Sequence, residues 1–260
     1  MSFATEKADG NRVRECWAQG GAALGGWMQL PGALLAEALA RLDYDAVVVD
    51  MQHSQIGLTE VAAMLVAIEL GGAEPFVRMQ VNDQADAMKL LDAGAYGLIA
   101  PMVNTAEDAQ RFAQALHYSP RGLRSYGPRR PALRYGPDYV KHASDTIVGL
   151  AMIETREALQ NLDAILDTDG LDGVFIGPTD LALDLGYAPS VDTDEREVVA
   201  AIAHVRERAK AHGKRSGIFC GSGAFARTKL AEGFDFVTAA PDLNILLGAA
   251  RAVITEARKA

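Results

Sequence analysis

Eight short apolar segments, separated by segments with helical patterns, constrain the fold of this chain more than any other feature. The apolar segments are candidate β-strands and span residues 23–28, 46–50, 75–78, 97–101, 147–154, 173–177, 216–220 and 234–238. Helical patterns lie between them at residues 58–70, 86–93, 106–116, 158–166, 195–211 and 224–231. This alternation is typical of parallel strands joined by helices. The sequence of 260 residues therefore predicts an α/β fold, a single (β/α)8 TIM barrel domain over residues 1–260.

Three segments fall outside this repeat. An extra helix is predicted at residues 12–19, before the first strand, in a position to plug one end of the barrel. Pro241 and Asp242 begin a final helix through Ala257, because proline is tolerated in a first helical turn. Residues 119–143 predict a long loop that contains Arg121, Arg124, Arg129, Arg130 and Arg134. Long loops in compact domains are usually functional or disordered. We interpret this one as an arm that reaches a neighbouring subunit, and the alternative is a solvated basic loop.

Net charge and cysteine content limit the classes of binding partner and the expected cellular location. A net charge of −9 argues against nucleic acid and anionic membrane surfaces as partners. No segment approaches the roughly 18 apolar residues of a membrane span, and residues 1–10 lack the pattern of a secretory signal. Cys16 and Cys220 are the two cysteines, and their spacing is not that of a metal site. A reduced, cytoplasmic protein is expected.

Two carboxylates stand where candidate strands end. Glu154 closes the fifth strand and Asp180 comes just after the sixth. Because the carboxyl ends of barrel strands converge on the active site, we expect these side chains to approach each other. Two carboxylates suit a hard divalent cation such as Mg²⁺ or Mn²⁺, so the pair predicts a metal site. The alternative is that Glu154 caps the following helix and Asp180 is an ordinary loop acid.

Other polar residues belong to the same predicted edge. His53 follows the second strand and Arg78 ends the third. Histidine can transfer protons near neutral pH, and arginine offers a charged donor fork to a carboxylate or enolate oxygen. The amides after Gly177 and Pro178 begin a helix, whose amino end suits an anion. Together these residues predict a site for a small 2-oxo acid bound to a metal.

Several motifs at these positions resemble those of the HpcH/HpaI aldolase family, the metal-dependent pyruvate aldolases. The resemblance covers essentially the whole chain and is most specific at residues 47–53, 76–78, 89–94, 152–155 and 173–181. It implies that Glu154 and Asp180 bind Mg²⁺, Mn²⁺ or Co²⁺. It also implies that Arg78 holds the keto or enolate oxygen, and that His53 transfers protons with help from Asp92 of a neighbouring subunit.

The resemblance has further implications for substrate binding and assembly. The substrate carboxylate would lie on the amides of Thr179 and Asp180, next to Gly177 and Pro178. Members are typically hexamers whose last helix packs on a partner, which implies a C-terminal helix exchanged between subunits. Many members have glutamate before the histidine, where this chain has Gln52, which removes a charge beside the base. Because the segment at residues 119–143 is rich in arginine, the resemblance leaves open which aldehyde the protein uses.

The predicted reaction is the cleavage or formation of a 4-hydroxy-2-oxo acid from pyruvate or hydroxypyruvate and an aldehyde. A Schiff-base route needs a desolvated lysine inside the barrel, and none of the chain's lysines falls in a candidate strand. One alternative is a related lyase or decarboxylase acting on oxaloacetate or a CoA ester, although no clear nucleotide-binding element favours the CoA version. Another is a non-catalytic barrel that binds an oxo acid.

Overall fold

The computed structural model describes residues 10–259, so the expectation about a secretory signal lies almost wholly outside the described residues. Eight parallel strands pair in chain order and close into a barrel, with β1 beside β8. The strands are β1 Ala23–Met28, β2 Ala46–Asp50, β3 Glu74–Arg78, β4 Gly97–Ala100, β5 Val148–Ile153, β6 Gly173–Ile176, β7 Arg215–Phe219 and β8 Phe236–Pro241. The predicted (β/α)8 barrel is therefore confirmed.

Helices surround the barrel and close its amino end. They are α1 Arg12–Ala18, α2 Ala33–Ala40, α3 Leu58–Gly71, α4 Gln84–Ala93, α5 Ala106–Leu116, α6 Arg129–Tyr135, α7 Tyr139–Thr146, α8 Arg156–Gln160, α9 Leu162–Leu166, α10 Pro178–Asp184, α11 Arg196–Ala211, α12 Gly223–Glu232 and α13 Asp242–Ala257. The predicted N-terminal and C-terminal helices are present. No helix among residues 10–259 is long and apolar enough to cross a membrane.

The alternation of side chains along each strand divides the core into two layers. One layer lies between the strands and the outer helices, and the other fills the barrel interior. Trp27, Phe76, Phe175 and Phe236 are the large aromatic residues of the interior. The Phe76 ring covers Gly97, its partner on the adjacent strand β4, where an added Cβ would lie 2.4 Å from the ring. Glycine at such strand positions allows close approach.

Helix α1 packs against the amino end of this interior layer. Its Val13 and Trp17 are buried and belong to the same apolar cluster as the barrel aromatics. The Trp17 Nε1 donates to the carbonyl oxygen of Asp235 at 2.8 Å. Asn11 caps the helix by accepting from the amide of Val13, as an asparagine before a first turn commonly does. This packing agrees with the expected plug.

The predicted loop at residues 119–143 is wrong in part, because α6 lies within it and α7 begins within it. The alternative interpretation, a solvated basic loop, is also wrong for three arginines. Arg124, Arg130 and Arg134 form ion pairs with carboxylates of neighbouring elements. The helices escaped prediction because they are short and interrupted by Gly136, and the ion-pair partners are remote in sequence. A role as an arm toward another subunit stays a prediction.

The predicted helix at residues 158–166 is also divided in two. Helices α8 and α9 meet at Asn161, which is the C-cap of the first and the N-cap of the second. The Asn161 side chain donates to the carbonyl oxygen of Asn104 at 2.9 Å, so a tertiary hydrogen bond holds the interruption. Helix α13 is largely exposed, and Asp242 is its buried residue.

Candidate active site

Strand alternation places the polar residues of the site on top of the interior apolar layer. Successive side chains of a strand point to opposite faces. On β2, Asp50 therefore shares the inward face with Val48, and on β3 Arg78 shares it with Phe76, both of which belong to the interior cluster. The register of these strands sets Asp50 beside Arg78. Glu154 follows β5 on the same face as Met152.

Arg78 is held by Asp50 in a buried ion pair. Its Nε donates to Asp50 Oδ1 at 2.8 Å, and its Nη2 donates to Oδ2 in a short contact. The guanidinium carbon lies 4.9 Å from the centroid of the Trp27 ring. Only 6% of Arg78 is exposed. A two-pronged pair of this kind fixes the direction of the guanidinium fork, so the other edge of the fork is presented at the barrel mouth.

Asp50 was not among the predicted site residues, although it organises much of the site. Its carboxylate also accepts from Trp27 Nε1 and Gln29 Nε2, both at 3.3 Å, and from the amides of Gln52 and His53. Burial acts to raise the pKa of Asp50, but the hydrogen bonds and charge of Arg78 outweigh it and hold this pKa below its usual value. The argument applied to Glu154, a carboxylate ending a buried strand, would have found it.

Glu154 is a buried carboxylate with one oxygen satisfied and one open. Its Oε1 accepts from the amide of Met102 at 2.7 Å, whereas Oε2 is buried without a hydrogen-bond partner among the described residues. Burial raises the pKa of Glu154 to about 7, the bond from Met102 opposes this shift, and the charge of Asp180 adds to it. Met102 has a φ of 53°, a left-handed conformation uncommon outside glycine.

The surroundings of Glu154 fit a divalent cation. A Cβ added to Gly177 would lie 2.6 Å from Glu154 Oε2, so this glycine keeps the open oxygen accessible. Asp180 lies in the first turn of α10 and acts electrostatically on Glu154. A cation between them would satisfy Oε2 and relieve the repulsion. Among residues 10–259 no group of three or more His, Cys, Asp or Glu could hold a metal.

His53 and Asp92 are not brought together within one chain. His53 is exposed just after β2, and its amide donates to Asp50 Oδ1 at 3.2 Å. Asp92 is in the last turn of α4, which leads to the amino end of β4, so it lies at the opposite end of the barrel. It pairs with Arg124 of its own chain at 3.0 Å. Gln52 is half-buried, and its Oε1 has no partner among the described residues.

A cleft of about 590 Å³ lies at the amino end of the barrel, away from these residues. Several of its charged groups have partners in the fold. Arg14 pairs with Asp172 at 2.6 Å, and Lys214 donates to the carbonyl oxygens of Thr168 and Leu171. The strand-end site is different, because Glu154 offers a buried oxygen that nothing in the described chain satisfies.

A family model described as HpcH/HpaI aldolase/citrate lyase matches residues 24–249. The chain belongs to the HpcH/HpaI aldolase/citrate lyase family. It is 75% identical over 248 residues to the hydroxypyruvate/pyruvate aldolase of Rhizorhabdus wittichii, covering 95% of this chain and 99% of the relative. It is 37% identical to the 4-hydroxy-2-oxo-heptane-1,7-dioate aldolase of Salmonella dublin, covering 94% and 93%.

Solved structures of HpcH/HpaI proteins have the same barrel. The crystal structure of a family protein from Burkholderia cenocepacia superposes with a TM-score of 0.88 at 30% identity, covering 96% of this chain and 100% of that one. The aldolases of the HpcH/HpaI family are generally divalent-metal dependent. The expected family and enzyme class, a carbon–carbon lyase of the aldolase type, are therefore confirmed.

Proposed function

We propose that this chain is a divalent-metal-dependent aldolase that cleaves or forms 4-hydroxy-2-oxo acids from pyruvate or hydroxypyruvate and an aldehyde. The observation that carries the proposal is the unpartnered, buried Oε2 of Glu154, close enough to Arg78 for its charge to act on Glu154. The identity of 75% to a relative named hydroxypyruvate/pyruvate aldolase supports this choice of substrates.

Glu154 and Asp180 are the proposed metal ligands. When bound, a cation such as Mg²⁺, Mn²⁺ or Co²⁺ would supply Lewis acidity to the carbonyl group of the 2-oxo acid. Glu154 is directed by the amide of Met102, which fixes Oε1 and leaves Oε2 for the ion. The side chains at the mouth then have the tasks of binding the acid, holding developing charge and moving a proton.

Arg78 is proposed to hold the keto oxygen as it gains negative charge. Asp50 occupies the Nε side of the fork, and no acceptor among the described residues bonds to Nη1. The remaining N–H groups are therefore directed by Asp50 and available to a substrate oxygen. Donors fixed in advance at the place where charge develops contribute strongly to catalysis.

The first turn of α10 is proposed to bind the substrate carboxylate. Its first intrahelical hydrogen bond runs from the amide of Leu181 to the carbonyl oxygen of Gly177 at 3.1 Å. The amides of Thr179 and Asp180 therefore have no acceptor within the helix, and Pro178 has no N–H. An anion at this turn would satisfy both amides.

His53 is proposed to take the C4 hydroxyl proton during cleavage and to return it during synthesis. Its exposure at the mouth suits a group that must contact an entering aldehyde. Asp92 cannot reach His53 of its own chain, so its proposed support comes from another subunit. An oligomer, a hexamer by resemblance, follows from this arrangement, and the exposed apolar residues Ile245, Val253 and Ile254 of α13 support packing of that helix on a partner.

We also propose a cytoplasmic location, supported by the two thiols, Cys16 and Cys220, which are not joined in a disulfide.

The proposed chemistry excludes a lysine adduct. Among the described residues no strand contains a lysine, and the buried Lys229 lies on α12 and donates to both oxygens of Glu232 at 3.0 Å. Lys229 is thus occupied outside the barrel interior.

An aldol assay with pyruvate and hydroxypyruvate against a panel of aldehydes tests the proposal. Activity should disappear in the presence of a chelator and return with Mg²⁺, Mn²⁺ or Co²⁺. Glu154→Gln keeps the size of the side chain but removes its charge, so added metal should not restore its activity. Full turnover in chelator, or a borohydride-trapped lysine adduct with pyruvate, would contradict the mechanism.

A further inference from the structure

The guanidinium of Arg124 is buried in the segment between α5 and α6. Its side chain has no exposed surface, and its amide donates to the carbonyl oxygen of His117 at 3.0 Å. The guanidinium carbon lies 4.5 Å from the ring centroid of Tyr118 and 5.8 Å from that of Tyr139. Arginine stays charged in a protein interior, so a group this deeply buried needs a counter-charge.

Asp92 supplies that counter-charge with only one of its oxygens. Arg124 Nη2 donates to Asp92 Oδ1 at 3.0 Å, whereas among residues 10–259 nothing donates a hydrogen bond to Oδ2. The Asp92 side chain is 30% exposed. A Cβ on Gly127 would lie 3.0 Å from Oδ2, so the absence of a side chain there leaves this oxygen uncovered. The carboxylate is thus fixed on its inner side and open on its outer side.

A second arginine of the same segment, with a side chain only 7% exposed, forms an ion pair of a different kind. Arg134 lies over Tyr96 and Tyr135, with 4.4 and 4.9 Å between its guanidinium carbon and the ring centroids. It donates to both oxygens of Glu74, at 2.8 and 3.0 Å, and Glu74 is buried. Both carboxylate oxygens of this pair are used inside the fold. The pair between Arg124 and Asp92 differs because one oxygen is left open.

We propose that Arg124 is a positioning residue, which aims Asp92 Oδ2 at His53 of a neighbouring subunit. The inference rests on the proposed role of Asp92 across the subunit interface. A carboxylate that supports a catalytic histidine must hold one imidazole tautomer and orientation. Asp92 lies on a helix surface and would otherwise sample several rotamers. Its ion pair with Arg124 selects one of them and leaves the outer oxygen for the histidine.

A double-mutant cycle in the full-length oligomer tests this role. The variants are Asp92→Asn, Arg124→Met and the two combined, and kcat and KM for pyruvate are measured at saturating metal. Because misplacement of a catalytic group can cost about 100-fold in rate, each single variant should lower kcat by roughly 10- to 100-fold. KM for pyruvate should stay unchanged, since neither residue contacts the oxo acid. In the Asp92→Asn background, Arg124→Met should cause no further loss.

Two additional variants guard against a general loss of structure. The double variant removes both charges together, which is often neutral or stabilising for a buried pair, so it should fold even if a single variant does not. Arg124→Lys keeps the charge without the fork and should recover part of the kcat lost in Arg124→Met. Arg134→Met is the matched control, because it also removes a largely buried arginine side chain that lies over two tyrosines. It should lower thermal stability while the folded enzyme keeps its kcat.

The possible outcomes separate this inference from the proposed function. An equal loss of kcat from Arg124→Met in both backgrounds would make Arg124 a structural residue and leave the role of Asp92 intact. Wild-type kcat in Arg124→Met beside an impaired Asp92→Asn would also overturn the inference alone. Wild-type kcat in Asp92→Asn would overturn the proposed role of Asp92 and the inference with it.

Discussion

The buried ion pair of Arg78 and Asp50 predicts that even a conservative substitution of Arg78 lowers kcat. Arg78→Lys keeps a positive charge but loses the planar fork that Asp50 directs. We expect kcat to fall by about 10²-fold, the usual cost of losing one fixed donor to a developing oxyanion. Arg12→Lys is the control, because Arg12 pairs with Asp45 on the surface, where such pairs contribute little. Nearly normal kcat in Arg78→Lys would remove this arginine from the mechanism.

Gly177 is expected to be as important as the side chains around it. In Gly177→Ala the new methyl group would meet Glu154 Oε2 at 2.6 Å, so the carboxylate must move. Metal affinity, measured by calorimetric titration with Mn²⁺, should fall by roughly 10-fold or more, as when a group that orients a ligand is disturbed. Gly223→Ala serves as the control, because nothing lies within 4 Å of a Cβ there. Equal affinity in the two variants would contradict the assignment of Oε2 to the metal.

The raised pKa of Glu154 makes the metal-free protein sensitive to pH. The pKa rises from its ordinary value of 4.5 to about 7, so between these values the folded state binds a proton that the unfolded state has lost. Stability linked to Glu154 is therefore fully present below about pH 4.5 and is lost as pH rises through about 7. The loss amounts to about 3 kcal/mol, since one pKa unit corresponds to roughly 1.4 kcal/mol.

Urea unfolding in chelator at several pH values measures this contribution. The difference in unfolding free energy between wild type and Glu154→Gln isolates Glu154 from other titrating groups such as His117, whose pKa is lowered chiefly by burial. That difference should shift in favour of the glutamine variant as pH rises. Saturating Mn²⁺ should stabilise the wild type at high pH, because a ligand that binds the folded state adds to its stability. A pH-independent difference would contradict the raised pKa.

Helix α1 lies at the amino end of the barrel, whereas the strand-end site lies at its carboxyl end. Trp17→Ala removes a buried indole from the plug and should reduce the free energy of unfolding by about 3–5 kcal/mol. The folded enzyme should keep its kcat, because α1 contacts the amino ends of the strands. Leu42→Ala, at a position 56% exposed, is the control for stability. A large loss of kcat in folded Trp17→Ala would show that the plug shapes the active site.

Strands and helices were predicted most accurately where the pattern that defines them lies in neighbouring residues. Strands β1 and β2 have the predicted bounds, because short continuous apolar segments are typical of buried strands. Strand β8 begins at Phe236 instead of Phe234, since the intervening Asp235 accepts from the amide and hydroxyl of Ser216. Helix α6 was missed because it contains Pro131 and lies between Pro128 and Gly136, residues that are typical of turns. The ion pair of Arg134 with Glu74 cannot be read from the sequence.

For the assembled protein, the proposed support of His53 by Asp92, which lies at the opposite end of its own barrel, predicts an active site built from more than one chain. Mixing His53→Ala with Asp92→Ala subunits should regenerate some sites that contain both native residues, and activity should exceed that of either variant alone. The measurement is turnover of the mixture after subunit exchange, which labelled subunits can verify. The controls are the two variants, each carried alone through the same exchange procedure. A fully active monomer, or no recovery despite proven exchange, would show that one chain builds the site.

Local patterns in the sequence were sufficient to predict the barrel and the residues at the carboxyl ends of its strands. Apolar periodicity and strand order are local patterns, and parallel strands bring their carboxyl ends together whatever else the chain contains. This was enough to place His53, Arg78, Glu154 and Asp180 at one mouth. Which polar groups pair with each other becomes evident only in the folded chain. The pairing of Asp50 with Arg78, and that of Asp92 with Arg124, depends on contacts between elements that are distant in sequence. The buried charge of each arginine is tolerated only because a carboxylate of opposite charge lies beside it.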